Sequence, residues 1–170
     1  MEPWERIAFS RRRLLFGDSS LADVLDHHVL DRPLTREDAE SLHHIKKRVE
    51  AERADREAGC LDVKLGPGGM DDILWLHHLQ ALRMGWRQKD RRLSELTPMM
   101  VSHGLISQSE ADSIHQAWTL WNKVRLRMSL CGIESHLWEL SGDKLKVTQE
   151  GQDPNGLASL VRRLLERLWV

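Results

Sequence analysis

Apolar positions recur at helical spacing along most of this 170-residue chain. The segment 4–16 carries Trp4, Ile7 and Ala8, then Leu14 and Leu15. It stops at Gly17, whose missing side chain suits a left-handed residue after a helix. The segment 20–30 sets Leu21, Val24, Leu25, His28 and Val29 on one face, which predicts a short second helix. Thr35 with Asp38 three places on reads as a capped start. The charge-rich helix it opens runs to about residue 58, with Leu42, Ile45 and Val49 as a narrow apolar stripe.

A different pattern begins at residue 61. An extended stretch, 61–65, ends in the turn Gly66-Pro67-Gly68-Gly69 and passes into a segment, 70–86, that is apolar on almost every side: Met70, Ile73, Leu74, Trp75, Leu76, Leu79, Leu82 and Met84. A helix with so little polar face has to be enclosed by others, so it is placed at the centre of a bundle. A helix over 94–103 follows, with Thr97 as cap and Pro98 in the first turn. Ser107 and Glu110 form a capping-box pair that opens a long helix to about Leu130, ended by Gly132. Weak alternation over 136–147 around Ser141-Gly142-Asp143 suits a small β-hairpin. After the break at Asp153-Pro154, Leu157, Leu160, Val161, Leu164, Leu165 and Leu168 give an amphipathic last helix that needs a partner surface. The expected fold is all-α, a bundle of about five or six helices with a small C-terminal hairpin and terminal helix. It divides into a bundle at 1–132 and an appendage at 133–170.

Composition narrows the function classes. Apolar content of 41 % and charged content of 30 % fit a folded soluble chain, and a formal net charge of -1 argues against a general nucleic-acid binder. No apolar run approaches the ~20 residues that span a bilayer, and Met1-Glu2-Pro3-Trp4 does not read as a signal peptide, so no membrane association and a cytoplasmic location are expected. Cys60 and Cys131 stand alone, which suggests neither a zinc ribbon nor a disulfide framework.

Three blocks resemble, in order, the helical domain of the glutamine synthetase adenylyltransferases, a family that attaches and removes AMP on glutamine synthetase. Asp62 to Ile73, with Lys64, Gly66, Pro67, Gly68, Gly69 and Asp72, is similar to the K-x-G-P-G-G-[IL]-x-D-I-E-F segment. Upstream, Trp4-Glu5-Arg6, Arg11-Arg12-Arg13 and Gly17-Asp18 resemble the W-E-x-x-A-L-x-R-A-R-x-x-A-G-D entry helix. Downstream, Gly104-Leu105-Ile106-Ser107, Glu110-Ala111 and Ala117-Trp118 resemble G-L-[LI]-S-x-x-[ED]-A and A-Y. The departures are Leu74 and Trp75 for the family's Glu and Phe, and Arg125 for the Glu of L-E-x-R-L, in which Arg127 matches the Arg. The resemblance covers roughly residues 4–130.

The resemblance implies a module whose chemistry lies elsewhere. The family's reaction belongs to a nucleotidyltransferase domain that precedes this one, where a D-x-D pair holds two magnesium ions. This sequence has no D-x-D, and its first matching block begins at residue 4. No catalytic residue and no cofactor are assigned, and the chain is expected not to transfer nucleotides alone. By resemblance its partners are a nucleotidyltransferase domain, glutamine synthetase or a PII-type signal protein, in a split or truncated enzyme. The alternative is a homo-oligomeric scaffold or adaptor; a third, weaker one is a histidine-based metal enzyme.

The candidate residues follow. Lys64, Gly66, Gly68, Gly69 and Asp72 are phosphate or interface candidates, because a helix start concentrates free N–H donors, and the resemblance places this turn beside the nucleotide site. The favoured reading is structural, since Asp71 and Asp72 already complement the helix dipole and would repel a phosphate. Arg127 joins this set by its place in the family pattern. Arg11, Arg12 and Arg13, and Trp169 on the terminal helix, are partner-docking candidates. Trp4, Trp75, Trp118 and Trp121 fall on predicted core faces, Trp86, Trp138 and Trp169 less clearly so. No metal is expected from the pairs His27-His28, His43-His44 and His77-His78, because adjacent helical residues diverge by about 100°. They are read as surface or boundary residues, with Asp23 to His27 and Glu40 to His44 as ion pairs.

Overall fold

Helix caps written in the sequence start several of the helices. The computed structural model describes residues 1–12, 15–54, 60–86, 92–133, 137–139 and 153–169. Among these are α1 (Pro3–Ser10), α2 (Ser19–Leu30), α3 (Arg36–Arg53), α4 (Met70–Met84), α5 (Leu93–Ser102), α6 (Gln108–Leu130) and α7 (Pro154–Trp169), with two short strands, β1 (Cys60–Asp62) and β2 (Leu137–Glu139). Thr35 and Ser107 each accept from the backbone N–H three residues on while Asp38 and Glu110 reach back, giving the two expected capping boxes. Gly132, at φ 69°, follows α6 in the left-handed region.

The chain is helical, as expected, and α4 is its axis. Ile73, Leu76, Leu79, Ala81 and Leu82 have no exposed surface, and α1, α5, α6 and α7 all pack against this helix. The buried face of α7, Ala158, Val161, Leu164, Leu165 and Trp169, joins the same hydrophobic cluster as α4 and α6. Its amphipathic pattern is therefore met by the central helix itself.

Several local expectations differ from the structure. The first helix ends at Ser10, not at Gly17, and Leu15 and Phe16 are 80 % and 96 % exposed. The Arg12 guanidinium reaches α2, 2.7 Å from Asp26 and donating to the Ala22 carbonyl at 2.6 Å. On α2, Leu21 and Val24 face water and Val29 and Leu30 are buried. The buried face of α3 is Ala39, Leu42, Lys46 and Glu50, with Ile45 and Val49 only half-buried. α5 starts after Arg92, so Pro98 lies inside the helix, and Thr97 is no cap: its hydroxyl donates to the Leu93 carbonyl at 2.7 Å. Trp4 is half exposed, whereas Trp86, Trp138 and Trp169 are buried.

The segment expected as a hairpin lies mostly outside the described residues. Its described part, β2, pairs antiparallel with β1, Leu61 opposite Trp138. The Trp138 ring meets Trp121 edge-on at 6.1 Å.

Candidate functional site

The GPGG turn is held by its own backbone before any other group reaches it. Asp62 Oδ1 accepts from the N–H groups of Lys64 and Leu65, both at 2.9 Å, and Gly66 N–H donates to the Asp62 carbonyl at 3.0 Å. Gly69, Met70 and Asp71 donate to the carbonyls of Gly66, Val63 and Lys64. Gly68 N–H donates to Asp72 Oδ2 at 2.7 Å. The donors a phosphate would need are thus occupied inside the turn. Gly68 and Gly69 are buried, while Lys64 points to solvent.

Gly68 has a second reason to be glycine. Its φ is 77°, and a Cβ there would stand 2.1 Å from the Ala158 carbonyl oxygen of α7. Its own carbonyl accepts from the Trp121 indole at 3.2 Å. The turn therefore seats α7 and α6 through backbone contact.

Asp72 continues from this turn into a buried ionic cluster. Its side chain has no exposed surface, and Lys46 Nζ lies 2.7 Å from Oδ1 as an ion pair outside hydrogen-bond geometry. Lys46 also meets Glu50 at 3.3 Å and Asp71 at 3.6 Å. From α7, Arg162 reaches Glu50 at 2.7 Å, Asp72 at 3.4 Å and Glu166 at 2.8 Å. Two cations and four carboxylates thus tie α3, α4 and α7 together. Burial pulls the Lys46 pKa down, but Asp72, Asp71 and Glu50 outweigh it and hold the ammonium above its ordinary value. Burial likewise pushes the Glu50 carboxyl up, and Lys46 and Arg162 reverse this and leave it below the usual range. At Asp71 burial prevails over Lys46 and Arg11, with help from Asp72, and its pKa rises.

The histidine pair of α4 is interior, a correction to its surface placement. His77 Nδ1–H donates to the Ile73 carbonyl at 2.7 Å, and Nε2 faces the Thr97 hydroxyl at 2.8 Å. Complete burial lowers its pKa to about 4, against the pull of the Ile73 bond, so the ring is neutral. His78 Nδ1 lies 3.3 Å from Ser10 Oγ. His27 pairs with Asp31 rather than Asp23, and Glu40 with Arg36 rather than His44. Among the described residues no group of three or more His, Cys, Asp or Glu side chains could hold a metal.

The remaining candidates scatter. Arg127 is exposed in the last turn of α6 and takes no part in the contacts of the turn, whereas Arg125 donates to Met70 Sδ at 3.6 Å. Arg11 lies over the Trp75 ring, 5.7 Å from its centroid. Arg12 is engaged with Asp26, and Arg13 lies outside the described residues. Trp169 is not an exposed anchor: its indole donates to the Ala39 carbonyl at 3.0 Å and its ring packs on Trp75 and His43. Pattern reading missed Lys46, Glu50 and Arg162, although Lys46 and Glu50 follow Leu42 at four-residue intervals, the signal of a shared face.

Comparison with known proteins finds related sequences over more than half of the chain. The family model described as GlnD PII-uridylyltransferase matches residues 39–135. The bifunctional glutamine synthetase adenylyltransferase/adenylyl-removing enzyme of Streptomyces avermitilis is 30 % identical over 131 residues, 72 % of this chain and 13 % of that protein. The protein of the same description from Bifidobacterium longum is 32 % identical over 132 residues, covering 72 % and 12 %, and that of Mycobacterium leprae 31 % over 134 residues, covering 73 % and 13 %. The chain thus spans about one eighth of the length of these relatives.

Proposed function

This chain belongs to the GlnD PII-uridylyltransferase family, as a helical domain shared with the glutamine synthetase adenylyltransferases, and we propose that it is a non-catalytic binding or regulatory module. One observation carries the reading. Within the first 24 residues, Trp4, Phe9, Leu15, Phe16, Leu21 and Val24 all leave large apolar side chains in water, a stretch of chain suited to being covered by another protein. The buried ionic cluster serves rigidity: its carboxylates already face Lys46 and Arg162. The sequence has no D-x-D pair to hold the metal ions of nucleotidyl transfer.

By family, the partner is a nucleotidyltransferase domain, glutamine synthetase or a PII-type signal protein, in keeping with a split or truncated enzyme of nitrogen regulation. Immobilised chain is tested against glutamine synthetase with and without PII, and against a separately expressed nucleotidyltransferase domain. Retention that is lost in Leu15→Asp/Phe16→Asp supports the module. ATP turnover by the purified chain alone, or no retention of any of the three, sinks it. The same exposed α1–α2 residues also favour a second reading, a homo-oligomeric scaffold or adaptor. Light scattering separates the two, since only the scaffold gives a concentration-dependent mass that the double variant abolishes.

A further inference from the structure

A cleft of about 790 Å³ opens between α4, α5 and α6. This lies within the size range of small-molecule sites, about 300–1,000 Å³. Its wall is mostly apolar, from Leu74 on α4, Leu93 and Val101 on α5, and Ile114 and Trp118 on α6. The glycine turn and the ionic cluster contribute nothing to it.

The charges around the cleft are unequal. Arg11 and Arg92 line it as cations, and Asp112 is the one carboxylate among its described lining residues. Arg11 lies over the Trp75 ring, and Asp71 acts on it electrostatically from beyond ion-pair distance, so its guanidinium makes no direct carboxylate contact among the described residues. A guanidinium held over an aromatic face keeps its outward N–H groups directed at a planar anion. Leu74 adds to the asymmetry as an uncharged part of the wall; a Glu in its place would set a carboxylate there.

We propose that this cleft binds a small amphipathic carboxylate, its apolar body against Leu74, Ile114 and Trp118 and its carboxylate at Arg11. The Leu at position 74 makes the site receptive to an anion, because a Glu would repel it at short range in a partly desolvated wall. This goes beyond the protein-binding reading and does not depend on it.

The probe is 1-naphthoate, with neutral 1-naphthamide as its uncharged counterpart, titrated into the isotopically labelled full chain by NMR. Saturable binding of naphthoate, with shifts at Leu74, Val101, Ile114 and Trp118, is expected, and binding of the amide at least about five-fold weaker. Arg11→Gln should weaken naphthoate about five-fold or more and leave the amide unchanged; Leu74→Glu should weaken naphthoate about ten-fold. Circular dichroism checks that each variant folds, and Arg11→Gln, at an exposed position, decides the matter if Leu74→Glu does not fold. Equal binding of acid and amide, no saturation by naphthoate, or naphthoate shifts confined to residues outside the cleft overturns the proposal.

Discussion

Lys46 on α3 and Asp72 on α4 form an ion pair of 2.7 Å with side-chain exposures of 3 % and 0 %. Neither can be solvated, so each depends on the other and on the groups around the pair: Glu50 and Arg162 across it, and the Gly68 N–H below. Removing one charge leaves its partner uncompensated in a dry setting. Lys46→Met, which keeps the stem and deletes the charge, is expected to lower unfolding free energy by about 3–5 kcal/mol in urea denaturation. A double-mutant cycle with Asp72→Asn should return a coupling above about 1 kcal/mol; additive losses would show that the pair does not act as one.

The buried imidazole of His77 sets a pH dependence. Its pKa is about 4 in the fold, against 6.5 ordinarily. Above pH 6.5 both states hold a neutral ring. Between 6.5 and about 4 the unfolded chain takes up a proton that the folded chain refuses, so stability falls as pH drops through this window, by about 3 kcal/mol in all. Glu50 acts in the same direction: with its pKa depressed, its contribution is present above the ordinary 4.5 and is lost as pH falls through its folded pKa. Asp71, raised by burial, opposes them. Stability measured from pH 7 to 4 in His77→Gln should show a shallower decline than in the parent. An unchanged slope would mean that His77 accepts its proton in the fold.

The two glycines Gly68 and Gly104 make a matched test of close approach. Both have positive φ, 77° and 69°, but a Cβ at Gly104 meets nothing within 4 Å, whereas one at Gly68 collides with the Ala158 backbone. Gly104→Ala should therefore cost only the left-handed strain, about 1–2 kcal/mol. Gly68→Ala adds displacement of α7 and should cost well over that, about 3 kcal/mol or more. Hydrogen exchange should show the loss of protection in α7 for Gly68→Ala alone.

Trp169 holds the end of α7 by packing and by one hydrogen bond. Trp169→Phe keeps most of the ring contact with Trp75 and leaves the Ala39 carbonyl without its indole donor, an expected loss of about 1–3 kcal/mol. Trp169→Ala also opens a cavity and should cost about 3–5 kcal/mol. Both are read by denaturation midpoints, and a cost within about 0.5 kcal/mol for Trp169→Ala would mean that the ring is in fact at the surface.

Local chemistry made much of the fold legible. Thr35 and Ser107 carry their caps within three residues, and the enclosed state of α4 follows from having almost no polar face to turn outward. The misreadings share a cause. A helical wheel assumes that charge faces water, so the stripe it gives α3 is Leu42, Ile45 and Val49, whereas the buried face runs through Lys46 and Glu50. The tryptophans go the same way: Trp4 falls on a predicted core face and Trp169 reads as a docking anchor, and only the neighbouring elements decide that Trp4 is left in water and Trp169 covered.

The sequence by itself determined the helical class, the helix starts at Thr35 and Ser107 and the greasy central helix launched from a glycine turn, because caps, turns and periodicity act over a few residues. It also carried the family, through blocks that keep their order. Only the tertiary structure decided that Lys46 meets Asp72 and Arg162 meets Glu50, that Gly68 lies against Ala158, and that Arg11 and Leu74 border one cleft. Those pairs join helices far apart in the chain, and a periodic pattern states which face of a helix is covered but not which partner covers it.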